Sequence, residues 1–145
     1  MKIRVGITIN ASPAATWRVV EPIEHHVDWM VDAESIRFNG GQTRGVGTAF
    51  DCITRVGPIR LNDRMTVTEW EAGKRMGIEH HGIVTGRGRF TLRRSRGGRT
   101  RFTWKEHLVF PWWIGGPVGA ILAKPVLRAI WRRNLRRLKT IVEAT

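Results

Sequence analysis

One long helical pattern at the end of the chain limits the possible folds more than any other feature. Apolar residues recur every three or four positions from Ile114 to Val142, which is typical of an amphipathic helix. Pro125 is expected to kink or restart this helix, because proline lacks an amide hydrogen. The residues before it read as strands, and a curved sheet must cover its concave face. The helix is the only element large enough to do so.

The order of the remaining patterns predicts an α+β fold with one antiparallel sheet of about seven strands. A first strand alternates from Ile3 to Ile9, and Ser12 caps a short helix that starts at Pro13. A second short helix is expected around residues 22–30. The length of 145 residues predicts a single domain, residues 1–145. The other six strands are expected at residues 35–38, 47–56, 59–71, 75–81, 87–95 and 99–110.

The last hairpin has a register that the sequence alone specifies. Residues 96–98 read as a three-residue turn in which Gly98 takes the left-handed conformation. A slip of one residue would set apolar side chains opposite arginines, so one register is favoured. The predicted pairs on its inner face are Leu92 with Phe102, Phe90 with Trp104, and Gly88 with Glu106.

Charge and cysteine content restrict the partners and the compartment. Lys plus Arg is 25 and Asp plus Glu is 12, so the net charge is +13 and an acidic partner is favoured. The single cysteine, Cys52, excludes an internal disulfide and fits a reducing compartment. The longest uncharged stretch, from Leu108 to Ala123, is shorter than the roughly 20 residues that cross a bilayer. We therefore expect a cytoplasmic protein.

Short motifs along nearly the whole chain resemble those of the START-like (SRPBCC) superfamily, of the polyketide cyclase/dehydrase and lipid-transport type. The resemblance implies a helix-grip fold, in which the sheet wraps the C-terminal helix around an apolar cavity. It also implies a hydrophobic molecule that is bound, carried or transformed. No catalytic set of the family matches this chain residue by residue. The motifs are INASPAATW at 9–17, Trp29-Met30, GVGT at 45–48, VTEWE at 67–71, GRTRFTW at 98–104 and NLRRLK at 134–139.

The first candidate site is the wall of this cavity. Inward-facing apolar side chains with a few polar groups are typical of small-molecule sites, although the same side chains can simply fill a solid core. Two adjacent tryptophans in a Gly/Pro-rich segment, Trp112 and Trp113, are expected at the cavity mouth, or as a corner packed on the sheet rim. The predicted wall residues are Met65, Val67, Phe90, Leu92, Phe102, Trp104, Val118, Ile121 and Leu122.

The second candidate site consists of Glu106, Glu69 and His80, which share the inward phase of their strands. A buried carboxylate has a raised pKa and can share a proton with a nearby histidine, which is the minimum for acid–base chemistry. The alternative is that these groups lie at strand ends, solvated or paired with arginine. Neighbouring histidines such as His80 and His81 point to opposite faces of a strand, so we expect no metal site and no cofactor.

Three functions remain open at this point. The first is binding or transport of a hydrophobic small molecule, and the second is a polyketide cyclase or dehydratase. The third is binding to an anionic surface through the basic side of the helix, where Arg128, Arg132 and Arg136 form a stripe, and through Trp112 and Trp113. A membrane fits this surface better than nucleic acid, since no aromatic stacking platform accompanies the arginines. The ligand and the oligomeric state stay open.

Overall fold

The computed structural model describes residues 1–145 as one antiparallel seven-stranded sheet that is covered by a long C-terminal helix. The strand order is β1-β7-β6-β5-β4-β3-β2. The predicted α+β class is confirmed, and each predicted strand boundary lies within two residues of the observed one. The elements are β1 Lys2–Ile9, α1 Pro13–Val20, β2 Ala33–Phe38, β3 Ala49–Val56, β4 Ile59–Glu71, β5 Arg75–His81, β6 Thr85–Arg94, β7 Thr100–Val109 and α2 Gly116–Ala144.

The connection between β1 and β2 contains the predicted capped helix. The Ser12 hydroxyl accepts a hydrogen bond from the Ala15 amide at 3.1 Å, and Pro13 occupies the first turn. The second short helix, predicted around residues 22–30, is a 3₁₀ helix over Ile23–Asp28. It leads into Trp29, which is fully buried against Phe90 and Phe102.

The register of the β6–β7 hairpin is the predicted one, with Gly88 opposite Glu106 and Phe90 opposite Trp104. Gly97 and Gly98 have φ angles of 69° and 73°, so the turn uses two left-handed glycines where one had been expected. Both residues lie in open space, and a side chain at either position would be strained by its backbone alone.

Helix α2 runs unbroken from Gly116 to Ala144 with Pro125 inside it, so the predicted restart of the helix at this proline does not occur. Its C-terminal half buries Trp131, Leu135, Leu138 and Val142 and packs mainly against β1. Before Trp131, its only buried residues are the small Gly116 and Ala120. No helix of the structure combines the length and the apolar character that crossing a membrane requires.

Candidate functional site

A cavity of about 520 Å³ lies between the inner face of the sheet and the first half of α2. A volume of this size falls in the range of small-molecule sites. Most of its wall is apolar, and the wall draws on strands β2 to β7 as well as on the helix. Representative wall residues are Phe50, Met65, Met76, Phe90, Trp104 and Leu122.

The structure divides the predicted wall residues into three groups. Met65, Phe90, Trp104 and Leu122 line the cavity. Val67, Leu92 and Phe102 face the same side of the sheet, but they are buried in the solid core and do not reach the cavity. The four remaining residues, Trp112, Trp113, Val118 and Ile121, are exposed on the surface.

The placement of Val118 and Ile121 corrects the sequence analysis. Both lie on the apolar stripe of α2, yet they are 67% and 70% exposed. The small residues Gly119 and Ala123 of the same helix, with Leu122, are the ones that reach the cavity wall. Val118 and Ile121 therefore face solvent beside the cavity. Ile114 and Leu122 of the same stripe line the cavity, although Leu122 is also 70% exposed. Periodicity alone could not distinguish these two outcomes.

A chain of four polar side chains crosses one side of the cavity. The two ring nitrogens of His80 face two carboxylates, with Nδ1 at 2.8 Å from Asp63 Oδ2 and Nε2 at 3.0 Å from Glu106 Oε2. The indole Nε1 of Trp104 donates to Glu106 Oε1 at 2.9 Å. His80 and Glu106 are both buried. The structure thus brings two of the three predicted acid–base residues together.

Glycine in β6 makes this contact possible. His80 lies on β5 and Glu106 on β7, so β6 runs between them. Gly88 stands opposite Glu106, and a Cβ atom at Gly88 would lie 2.5 Å from the carboxyl carbon of that residue. The space that a side chain would occupy holds the Glu106 carboxylate instead, which reaches across the strand to the imidazole.

The electrostatics of this cluster favour a protonated histidine. Burial by itself lowers the pKa of His80, but the hydrogen bonds and negative charges of Asp63 and Glu106 outweigh it and raise that pKa to about 10. The geometry leads to the same conclusion, because a neutral imidazole has only one N–H to donate and here both nitrogens face carboxylates. At neutral pH His80 is therefore a donor to both neighbours and has no lone pair with which to accept a proton.

Glu69, the third predicted acid–base residue, lies on the opposite face of the sheet. Its carboxylate pairs with Arg89 at 2.9 Å and with Arg75 at 3.7 Å. The cause is a β-bulge, since Val67 pairs with Ile78 but Glu69 pairs with the next residue, Gly77. Thr68 is the extra residue, and it reverses the alternation of the strand after Val67.

Three acidic or histidine residues of the wall were missing from the sequence prediction. Asp63 lies between Leu61 and Met65 on the inner face of β4, so its phase could have revealed it. Asp32 and His26 lie in the irregular connection before β2, where no periodicity marks an inward side chain.

Asp32 and His26 both form hydrogen bonds with other groups of the protein. Burial raises the pKa of Asp32, although its oxygen accepts from Asn134 Nδ2 at 2.8 Å. Burial also lowers the pKa of His26 to about 4, and its Nε2 lies 2.6 Å from the Val20 carbonyl oxygen. His26 is therefore neutral at pH 7, with its Nε2–H donated to the backbone.

An exposed apolar rim surrounds the helix side of the cavity. We use this name for Trp112, Trp113, Val118, Ile121 and Val126, which are at least half exposed. Their neighbours Phe110, Ile114 and Leu122 line the cavity, so the rim adjoins its edge. The whole segment 107–142 contains no acidic residue and seven Lys or Arg residues. The rim is thus an apolar surface on a positively charged part of the chain.

A curved antiparallel sheet that grips a C-terminal helix beside an apolar cavity defines the helix-grip class of proteins. The family model described as polyketide cyclase / dehydrase and lipid transport matches residues 1–143. The chain belongs to this family, as the motif resemblance had implied. No curated protein sequence matches the chain.

Solved structures agree on the fold at low sequence identity. TTHA0849 from Thermus thermophilus has a TM-score of 0.78 at 16% identity, with 99% of this chain and 98% of that chain covered. The Zhui aromatase/cyclase from a Streptomyces species has a TM-score of 0.76 at 14% identity, with 99% and 93% covered. XoxI from Bacillus cereus has a TM-score of 0.76 at 13% identity, with 97% and 94% covered.

Proposed function

We propose that this protein binds a hydrophobic small molecule in the cavity between the sheet and α2, as a binding or transport protein. The observation that carries the proposal is the cavity of about 520 Å³ with its mostly apolar wall. Removing apolar ligand surface from water contributes about 25 cal/mol per Å². The polar chain from Asp63 to Trp104 then fixes the orientation of a guest that has a polar end.

Titration with a neutral fluorescent dye, N-phenyl-naphthylamine, tests this proposal. We expect saturable binding that the substitution Ala123→Trp weakens, because Ala123 lies on the wall and an indole there fills the cavity. Ala129→Trp is the matched control, since Ala129 is exposed on the same helix away from the wall. Equal dye affinity in both variants would place the dye elsewhere. Native mass spectrometry of the purified protein would identify any guest that co-purifies.

The buried His80 cluster favours a second candidate function, a cyclase or dehydratase. The structural neighbour Zhui is described as an aromatase/cyclase, and proton transfer is the chemistry that such a reaction needs. Because His80 is already protonated, it can serve only as an acid or as an electrostatic support. Of the three predicted acid–base residues, Glu106 is the one on the cavity wall that can accept a proton, since Glu69 lies on the outer face.

This candidate predicts pH-dependent cyclisation of a linear poly-β-ketone that is lost in Glu106→Gln. Glu79→Gln on β5 is the control, because Glu79 lies on the outer face and does not line the cavity. Unchanged turnover in Glu106→Gln would remove Glu106 as the acid or base.

The exposed apolar rim and its basic setting support an anionic membrane as a partner surface. Adjacent tryptophans are suited to the interface between headgroups and acyl chains, and nearby lysines and arginines attract anionic lipids. The cavity would then open towards the membrane, from which a hydrophobic guest can enter.

Co-sedimentation with vesicles tests the membrane proposal. We expect binding to phosphatidylglycerol vesicles that falls as salt is added, weaker binding to phosphatidylcholine, and loss of binding when Trp112 and Trp113 are both replaced by serine. Val46→Ser is the control, as Val46 is 60% exposed and lies outside the rim. Vesicle binding that does not depend on lipid charge or on salt concentration would exclude an anionic membrane as the partner.

A further inference from the structure

The hydrogen-bond donors and acceptors near the cavity differ in whether they already have partners within the protein. Both ring nitrogens of His80 face carboxylates, the indole N–H of Trp104 is donated to Glu106, and Nε2 of His26 contacts the Val20 carbonyl. These N–H groups are all engaged inside the protein. In contrast, Asp63 Oδ1 is a buried acceptor without any partner, although Asp63 is a wall residue. The wall thus offers an unused acceptor in this cluster, and the one buried indole N–H without a partner, that of Trp29, belongs to a side chain that does not line the cavity.

The formal charges on the wall also favour a guest that carries a hydrogen-bond donor, because negative groups are in excess. Asp32, Asp63 and Glu106 contribute three carboxylates, and His80 contributes one positive charge. Arg89 is the only Lys or Arg on the wall, and its guanidinium pairs with Glu69 on the outer face. A chain with a net charge of +13 therefore surrounds its cavity with an excess of negative groups.

From this inventory we infer that the guest is an apolar molecule whose polar end is a hydrogen-bond donor, an ammonium or a hydroxyl group, and that this end binds at Asp63. The inference rests on the proposed binding function and names the class of ligand. A guest with a donor binds the Asp63 carboxylate, whose side chain is 18% exposed on the wall, and an ammonium also offsets the local charge. A guest that ends in a carboxylate meets acceptors and like charges beside His80, where the N–H groups are already donated within the protein.

Competition between three molecules with the same hydrocarbon chain tests this inference. Dodecylamine, dodecanol and dodecanoate are titrated, below their aggregation thresholds, against the protein loaded with N-phenyl-naphthylamine at pH 7. We expect the amine and the alcohol to displace the dye at concentrations about tenfold lower than the carboxylate. The overall charge of the protein attracts the carboxylate, so nonspecific attraction would give the opposite order. Displacement by dodecanoate at an equal or lower concentration would overturn the inference.

Two matched variants test whether the preference for the amine over the carboxylate depends on Asp63. Asp63→Asn removes the carboxylate and supplies an amide donor, so we expect the preference for the amine over the carboxylate to shrink about tenfold. Asp51→Asn makes the same charge change on the outer face of β3, where Asp51 pairs with Arg64, and should leave the preference unchanged. An unaltered preference in Asp63→Asn would assign the selectivity to another part of the wall and refute the role of Asp63.

The same assay separates this inference from the proposed function. Failure of the dye to bind in a saturable way contradicts the cavity as a binding site. Saturable dye binding with dodecanoate as the best competitor leaves the binding function in place and refutes only the ligand class. The ranking is measured on the unmodified chain, so it does not depend on whether a variant folds.

Discussion

Replacing Gly88 by alanine tests whether the His80 cluster depends on the missing side chain in β6. An alanine Cβ at this position would lie 2.5 Å from both the carboxyl carbon and Oε2 of Glu106. Gly88 does not have a positive φ angle, so its backbone accepts alanine without strain. The Glu106 carboxylate is the end of a flexible side chain and must move. Its movement breaks the 3.0 Å contact with His80 Nε2.

The size of the effect follows from the strength of the contact that is lost. A hydrogen bond to a charged group has a net value of about 1.5–3 kcal/mol. Since one pKa unit corresponds to about 1.4 kcal/mol, the pKa of His80 should fall by about 1–2 units from its value of about 10. Asp63 still holds the other ring nitrogen, so the pKa should stay above that of an ordinary histidine. The free energy of unfolding should drop by about 2–3 kcal/mol.

Two-dimensional NMR of the histidine rings over a pH series measures this shift, and the His80→Gln variant assigns the signals. Urea unfolding of the same samples measures stability. Gly6→Ala is the matched control, because its Cβ would lie 2.9 Å from the exposed tip of the Arg101 side chain and 3.3 Å from the Phe102 carbonyl oxygen, and neither group contacts the His80 cluster. A His80 pKa in Gly88→Ala that equals that of the native chain would refute the argument that the glycine creates the cluster.

Three further predictions concern stability. The pKa of His80 is raised above its unfolded value of 6.5, so its stabilising contribution is complete below pH 6.5 and disappears as pH rises through about 10; the difference in unfolding free energy between the native chain and His80→Gln should shrink over that window by at most about 1.4 kcal/mol per pH unit. Asn134→Ala should cost about 2–4 kcal/mol in urea unfolding, because the Asp32 carboxylate loses its donor, whereas exposed Arg133→Ala should change stability by less than about 0.5 kcal/mol. Leu138→Ala removes a fully buried side chain and should cost about 2–5 kcal/mol, and a cost below about 1 kcal/mol would contradict the packing described for α2.

The β6–β7 hairpin shows why much of this fold was predictable. Its turn contains two consecutive glycines, and the large apolar residues of both strands share one face. One register buries these residues, whereas a register shifted by one residue would expose them. Local sequence and global burial favour the same pairing. The same agreement between phase and burial predicts Phe90, Trp104 and Glu106 on the inner face, where the structure has them.

The errors arose where strand phase or helix period is an incomplete guide. Nothing in the sequence around Thr68 marks the bulge that turns Glu69 to the outer face. Helix periodicity identifies the apolar side of α2 but does not say whether Val118 faces a cavity or solvent. The contact between His80 and Glu106 spans three strands, so it required the sheet order as well as the glycine between them.

The unequal burial along α2 has a consequence for how a guest gets in and out. Amides between Trp131 and Val142 belong to the packed core, so their hydrogen exchange should need global unfolding, while the stretch from Gly116 to Val126 has few buried contacts to lose. We expect that stretch to exchange its amide protons through small openings that leave the sheet intact. The rate at which a guest enters or leaves the cavity on the α2 side would then depend on fraying of the N-terminal end of this helix. That rate would be independent of the stability of the whole domain.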